Sequence, residues 1–223
     1  MAGKRLPARP SLRCQLWFRW TGKCFETATS HMQTVVSKLK NKVKTIDQIL
    51  EELIPPADYQ NRNGFSNEHL VQNLTQNEKQ EVEKRLIEML DTNDDGLIGE
   101  TLANLKSTNS LTSLNKRLNS AKSATSKIIW ASYINEIKGG DDEMKELALN
   151  EFDKVTDKYS RITTFHYLSH FQDTRINEKM RSYINHSDYL TAYNARTALG
   201  IDTKEIVNRE RSKNKNWWEF WKK

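Results

Sequence analysis

The stretch LIGETLANLKS, residues 97–107, carries a pattern of apolar and small residues that recurs three more times in the chain. The other copies are IIWASYINEIK (128–138), ITTFHYLSHFQD (162–173) and LTAYNARTALGID (190–202). Their central pairs align as Leu102/Leu105, Ile134/Ile137, Leu168/Phe171 and Ala195/Ala198, at spacings of 32, 34 and 27 residues. Such a period is typical of proteins built from repeated helical pairs.

A second amphipathic stretch precedes each copy. The four stretches are KQEVEKRLIEML (79–90), LTSLNKRLNSA (111–121), EMKELALNEFDKV (143–155) and INEKMRSYINHS (176–187). Their apolar residues recur every three or four positions, which indicates one buried face on a helix. The repeating unit is therefore predicted to be a helix, a short turn and a second helix.

The segment before the repeats contains start and stop signals for helices. Apolar spacings of three and four predict a helix over residues 32–54, which Pro55 ends because proline lacks a backbone donor. A polar loop is expected next, over residues 58–64, and another helix from about Asn67. The sequence TQNE, residues 75–78, has capping-box spacing and predicts the start of a further helix.

The composition favours helix and places the positive charge at the ends of the chain. Among 223 residues there are only 8 Gly and 4 Pro, and no apolar run approaches the ~18 residues of a membrane-spanning helix. Of the formal charge of +6, residues 1–31 carry +5 and residues 204–223 carry +4, which leaves −3 on the body. The body is expected to be soluble and not to bind nucleic acid, because it lacks a basic excess.

Both ends are treated as separate segments. Residues 1–31 form a basic leader, interpreted as disordered or vector-derived because Ser30-His31-Met32 resembles a cloning junction; an organellar transit peptide is the alternative. Residues 204–223 form a basic tail with Trp217, Trp218, Phe220 and Trp221. These aromatic residues could anchor the tail weakly at a membrane surface, dock in a groove of a partner, or fold back on the last repeat.

The last copy carries a family resemblance. Tyr193-Asn194-Ala195-Arg196-Thr197-Ala198-Leu199-Gly200 resembles the second helix of a HEAT-like repeat, where small residues let helices stack and a glycine closes the turn. The resemblance covers about residues 78–202, although the first three copies carry bulky or polar residues where that family often has alanine. It implies an all-α fold over residues 32–203, a short right-handed α-solenoid of about four to five antiparallel helix pairs. An irregular helical bundle is the alternative.

Residues 91–102, DTNDDGLIGETL, fit most of a calcium-binding loop. The first, third and fifth ligand positions are Asp91, Asn93 and Asp95. The twelfth position must supply a bidentate carboxylate, and it is Leu102. The repeat pattern makes Leu102 a core residue instead, with Asp94 or Asp95 capping the second helix of the first unit.

No catalytic site is expected from the motifs. His166 and His170 stand four residues apart, as two metal ligands on one helix would, but Tyr167 replaces the glutamate of a catalytic zinc helix and no third ligand is evident. The sequence has no nucleophile elbow, phosphate loop or dinucleotide motif. The protein is predicted to be no enzyme and to hold no metal or other cofactor.

Repeated helical pairs align their second helices into a continuous binding surface. Positions beside the core pairs predict a partner-binding stripe flanked by Trp130, Tyr133 and Tyr167. The stripe consists of Glu100, Asn104, Ser132, Glu136, His166, His170, Tyr193 and Thr197. We therefore expect a scaffold that binds a protein partner, such as an inhibitor or immunity protein of the bacterial cytoplasm, since the Asn, Lys and Ile content is typical of an AT-rich genome.

Two other functions stay open. Nucleic-acid or membrane-surface binding would act through the basic ends and weaken steeply with salt, whereas a packed protein interface would not. A weak calcium-dependent regulator would melt at a higher temperature when calcium is added.

Overall fold

The computed structural model describes residues 44–219, with side chains up to Lys213. The basic leader, the part of the predicted helix before Lys44, and Phe220 and Trp221 lie outside the described residues, as do the side chains of Trp217 and Trp218. Within the described range the chain forms helices and no strand, so the all-α prediction is confirmed. None of these helices combines the length and apolar character needed to cross a membrane.

Twelve α-helices and one short 3-10 helix follow one another along the described chain. They are α1 (Ile46–Leu53), α2 (Tyr59–Arg62), α3 (Glu68–Gln72), α4 (Gln76–Thr92), α5 (Gly96–Asn104), the 3-10 helix (Thr108–Ser110), α6 (Leu111–Ser120), α7 (Ala124–Lys138), α8 (Asp142–Phe152), α9 (Lys158–Ser169), α10 (Thr174–Arg181), α11 (Tyr189–Ala198) and α12 (Lys204–Glu219).

Side-chain caps begin most of these helices. Thr75 and Glu78 form the predicted capping box, in which the Glu78 carboxylate accepts from the Thr75 backbone N–H at 2.8 Å. The second helices of the four units are capped by Asp95, Ser123, Asp157 and Asp188. The loop predicted over residues 58–64 instead contains the single-turn helix α2, because the Asp58 carboxylate accepts from the Asn61 backbone N–H.

The helices from the four repeated stretches pack in chain order. Helix α5 packs on α7, α7 on α9 and α9 on α11, while α4, α6, α8 and α10 each contact the helix that follows them. The aligned residues Leu102, Ile134, Leu168 and Ala195 are each at most 1% exposed. The periodic pattern therefore identified the apolar contacts that join these helices.

Helix α7 occupies the centre of this arrangement. It packs against α5, α6, α8 and α9, and eight of its 15 residues are buried. A helix surrounded on most sides cannot keep one polar face for solvent. Its residues consequently contribute to the core around much of its circumference.

Each second helix ends in the left-handed region of backbone conformation. The residues with positive φ that follow α5, α7, α9 and α11 are Lys106 (55°), Gly139 (69°), Gln172 (49°) and Gly200 (66°). A left-handed residue lets the chain leave a helix sharply while satisfying its last carbonyl groups. The same device thus ends the second helix in all four units, although only two of the four residues are glycine.

Gly99 allows α5 to approach α7 closely. A Cβ atom at this position would lie 2.6 Å from ring atoms of both Trp130 and Tyr133. Both rings are at least 95% buried, so they have little room to move.

We expect Gly99→Ala to lower the free energy of unfolding by about 1–3 kcal/mol, because the added methyl group overpacks this contact. Gly96→Ala is the matched control, since its Cβ would lie 3.7 Å from the Tyr133 hydroxyl, an ordinary contact. That variant should keep or slightly raise stability, because alanine favours helix over glycine. Equal urea midpoints for the two variants would contradict the close packing at Gly99.

Candidate binding site

A cleft of about 900 Å³ lies where the C-terminal ends of α5, α7 and α9 meet. Asn104 and Lys106 line it from the end of α5, residues 135–140 contribute from the end of α7, and residues 169–172 from the end of α9. Phe65, just before α3, lines it from another side. The ends of three helices and the segment around Phe65 therefore build one cleft.

Five residues of the predicted stripe line this cleft. They are Glu100, Asn104, Glu136, His166 and His170. They come from three helices, and the chain separation between the first and last is 70 residues. Packing of successive second helices brings these polar side chains together.

Ser132 does not belong to this surface, contrary to the prediction. It is fully buried, and its hydroxyl donates to the Ile129 carbonyl at 2.8 Å. Trp130, expected to flank the stripe, is also buried at 5% exposure. Both differences follow from the central place of α7, which is covered by neighbouring helices on four sides.

Tyr193 and Thr197 lie on α11 and do not line the cleft. The Tyr193 ring packs 5.9 Å from the Tyr189 ring, and the Thr197 hydroxyl donates to the Tyr193 carbonyl at 2.9 Å. The predicted stripe therefore separates into the cleft and a second patch on the last repeat unit.

Glu136 is the carboxylate of the cleft that has positively charged partners. Its Oε2 lies 3.7 Å from Nδ1 of His170, and Lys106 Nζ donates to its Oε1 at 2.9 Å. His170 and then Lys106 lower the pKa of Glu136 to about 2, although burial acts in the opposite direction. Glu136 is therefore a fixed negative charge at neutral pH.

Glu100 lies in a different environment. It is half-buried, and its carboxylate has neither a hydrogen bond nor an ion pair with any residue the structure describes. Burial raises the pKa of Glu100; the nearby Glu136 adds to this effect and His170 opposes it. Both carboxylates line the cleft, but only the Glu136 charge is paired with positively charged side chains of the described residues.

Aromatic side chains form part of the wall between these acids. The Tyr133 and Tyr167 rings pack edge to face with centroids 5.9 Å apart, and the His166 and His170 rings lie 4.9 Å apart. Partial desolvation at the cleft wall, followed by the neighbouring His170, lowers the pKa of His166, so this imidazole is neutral at pH 7. The wall combines a neutral imidazole and phenol rings with charged groups.

The structure offers no metal-binding group of three or more His, Cys, Asp or Glu side chains within residues 44–213. His166 and His170 consequently have no third protein ligand there. For the calcium-loop hypothesis, Leu102 at the twelfth position is 0% exposed and belongs to the core. Residues 91–102 contain the end of α4, a three-residue connection and the first seven residues of α5.

Asp95 is the acid that caps α5. Its Oδ1 accepts from the Leu97 backbone N–H at 3.0 Å, and both of its oxygens accept from the Arg62 guanidinium at 2.7 and 2.6 Å. Arg62 lowers the pKa of Asp95 by this hydrogen bonding, against the effect of burial. This carboxylate therefore joins α2 to α5 and is not a free calcium ligand.

Asp95→Asn should lower the free energy of unfolding by about 1–3 kcal/mol at pH 7, because asparagine keeps the helix cap but leaves the Arg62 charge unpaired. Since the folded-state pKa of Asp95 is depressed, its contribution is present above the unfolded pKa of about 4 and is lost as pH falls below it. Urea unfolding at several pH values measures this difference. The exposed neighbour Asp94→Asn should change stability by less than about 0.5 kcal/mol, and an equal loss there would contradict the assignment.

The sequence interpretation missed several residues of the cleft. Lys106, Asn135, Gln172 and Phe65 line it but were not predicted. Lys106 and Gln172 each directly follow a core pair, so that position would have been a usable signal. Asn135 instead lies inside its core pair and Phe65 lies before the repeated stretches, so neither had this signal.

Comparisons with protein-family models, with curated proteins and with solved structures found no match for the chain.

Glu136→Gln is expected to lower the free energy of unfolding by about 1 kcal/mol at pH 7, because solvent screens part of the attraction to Lys106 and His170. Its folded-state pKa of about 2 lies below the usual value. The contribution of Glu136 is thus complete above about pH 4.5 and disappears as pH falls through about 2. Denaturant titrations between pH 2 and 7 check this, with the exposed Glu178→Gln as control. A difference that persists unchanged at the lowest pH would exclude an ionic origin.

Proposed function

We propose that this protein is a non-enzymatic, HEAT-like helical repeat protein that binds a segment of a protein partner in the cleft. Support for the repeat architecture comes from the consecutive packing of α5, α7, α9 and α11 and from the left-handed residue that follows each of them. Repeat proteins of this kind bind through surfaces formed by successive units.

The observation that carries the proposal is the convergence of five predicted stripe residues on one cleft of about 900 Å³. A cleft of this volume is large enough to take several side chains of a partner. Small-molecule sites are lined mainly by apolar groups, whereas this wall presents carboxylates, imidazoles, two lysines and two asparagines beside aromatic rings. Aromatic residues within a polar rim are typical of protein interfaces.

The hydrogen bonds inside the cleft favour binding over catalysis. The Ser169 hydroxyl donates to the backbone carbonyl of His166 at 2.6 Å, so this hydroxyl is not paired with an imidazole that could activate it. His170 instead faces Glu136, and Asn104 donates to Oδ1 of the buried Asn67 at 3.2 Å. The polar groups are held in place by the protein, as preorganised recognition requires. A role as inhibitor or immunity protein in the bacterial cytoplasm is part of the same proposal and rests on the sequence.

A photo-crosslinking amino acid at position 166 tests the proposal in cells of the source organism that express the full chain. His166 is exposed and lines the cleft, so a bound partner segment would lie within reach of the crosslinker. We expect one dominant crosslinked protein. The same amino acid at Glu178, which is exposed on α10 and outside the cleft wall, should not yield it.

The matched blocking variant is Asn104→Arg, which places a large side chain inside the cleft. In this background the crosslink from position 166 should disappear, while circular dichroism and the melting temperature show that the helices remain folded. The captured protein is then purified, and its affinity for the unmodified chain and for Asn104→Arg is measured by calorimetry. Equal affinities for the two chains would show that the cleft is not the binding site.

A further inference from the structure

The Glu100 carboxylate has no hydrogen bond or ion pair within the described residues, and this requires an explanation. A half-buried carboxylate without such a partner loses hydration, and the neighbouring His170 offsets only part of this loss. Its raised pKa reflects this under-stabilised charge. Since binding sites often retain groups that are unfavourable in the free protein, this carboxylate points to a cationic ligand.

The two lysines of the cleft wall do not compensate Glu100. Lys106 donates to Glu136 at 2.9 Å, and Lys145 donates to Asp142 at 2.9 Å. Both ammonium groups are therefore engaged with other carboxylates. Glu100 keeps its negative charge available to a group that enters from outside.

The backbone adds to the negative character of the cleft. Residues at the C-terminal ends of α5, α7 and α9 all line it. Each helix carries a partial negative charge at its C-terminus, where the last carbonyl groups lack helical partners. Three such ends at one cleft favour a positively charged ligand.

A second unsatisfied group lies in the same wall. Tyr133 is 1% exposed, and its buried hydroxyl has no hydrogen-bond partner within the described part of the chain. The Tyr167 phenol is near enough to raise the pKa of Tyr133 further, after burial, but the two hydroxyls do not reach hydrogen-bond geometry. Glu100, Tyr133 and Tyr167 line the same cleft, and the Glu100 charge helps to raise the pKa of both phenols.

We propose that the cleft receives an arginine side chain of the protein partner, with the guanidinium paired to the Glu100 carboxylate and lying against the Tyr167 ring. This inference rests on the proposed function and specifies what the partner presents. A guanidinium is planar, weakly hydrated and able to donate two parallel hydrogen bonds to a carboxylate. Its face also interacts favourably with aromatic rings, which a compact, strongly hydrated ammonium group does less well.

The test uses the full chain and the probe peptide acetyl-Ala-Ala-Arg-Ala-Ala-amide. Backbone amide signals of Glu100, Tyr133 and Tyr167 are followed by NMR as the peptide is added. We expect saturable shifts at these residues with a dissociation constant of about 1 mM, since a single side chain supplies limited binding energy. The peptide with citrulline in place of arginine has nearly the same shape without the charge, and it should bind at least about tenfold more weakly.

Glu100→Gln is the decisive variant because it removes the charge and keeps the shape of the side chain. It should weaken arginine-peptide binding about tenfold while leaving the melting temperature unchanged or raised, since an uncompensated carboxylate is lost. The control Glu178→Gln should bind as the unmodified chain does. Equal binding of arginine and citrulline peptides, full binding by Glu100→Gln, a lysine peptide as tight as the arginine peptide, or no shifts up to about 20 mM peptide would each overturn the inference.

The result of the peptide test can be distinguished from the result of the crosslinking test of the proposed function. If the protein crosslinked at position 166 is still bound at full affinity by Glu100→Gln but not by Asn104→Arg, the cleft binds a partner and the arginine assignment is wrong. If position 166 captures no partner, the proposed function fails regardless of how the peptide behaves.

Discussion

At Gly99 the backbone of α5 lies against the rings of Trp130 and Tyr133, closer than any side chain at that position would permit. This contact determines how near α5 comes to the central helix α7. Glu100 is the next residue, and it lines the cleft together with Tyr133. The packing contact between α5 and α7 is therefore directly adjacent to the cleft wall.

Two carboxylates at neighbouring positions on successive helices have opposite electrostatic roles. Glu136 has Lys106 and His170 as partners, and its low pKa means that its charge stabilises the folded protein. Glu100 has no such partner among residues 44–213, and its raised pKa means that its charge acts against folding. One acid therefore contributes to the structure of the wall, whereas the other leaves a charge available for recognition. These roles differ because a carboxylate that is already paired within the protein must lose those interactions before it can bind a ligand.

The direction of the second helices explains why the cleft is polar. Helices α5, α7 and α9 all end at the cleft, so it collects their terminal carbonyl groups and the residues that cap them. Backbone N–H groups just beyond each helix satisfy some of these carbonyls. For example, the Lys106 N–H donates to the Ala103 carbonyl at 2.9 Å, and the Gly140 N–H donates to the Asn135 carbonyl at 2.9 Å. The meeting of three helix ends thus concentrates polar groups at one site.

The sequence by itself determined the eight helices of the repeated stretches and their core residues, because caps such as Thr75 and Asp95 and the spacing of Leu102, Ile134 and Leu168 act over a few residues. It also placed five cleft residues on one surface, but it did not predict the helix α2. Only the tertiary structure decided that α7 is central and buries Ser132 and Trp130, and that Arg62 pairs with Asp95 across 33 residues. The tertiary structure also decided that, within residues 44–213, Glu136 has two charged partners and Glu100 has no ion pair. These features depend on which surfaces meet in space, and local periodicity carries no information about that.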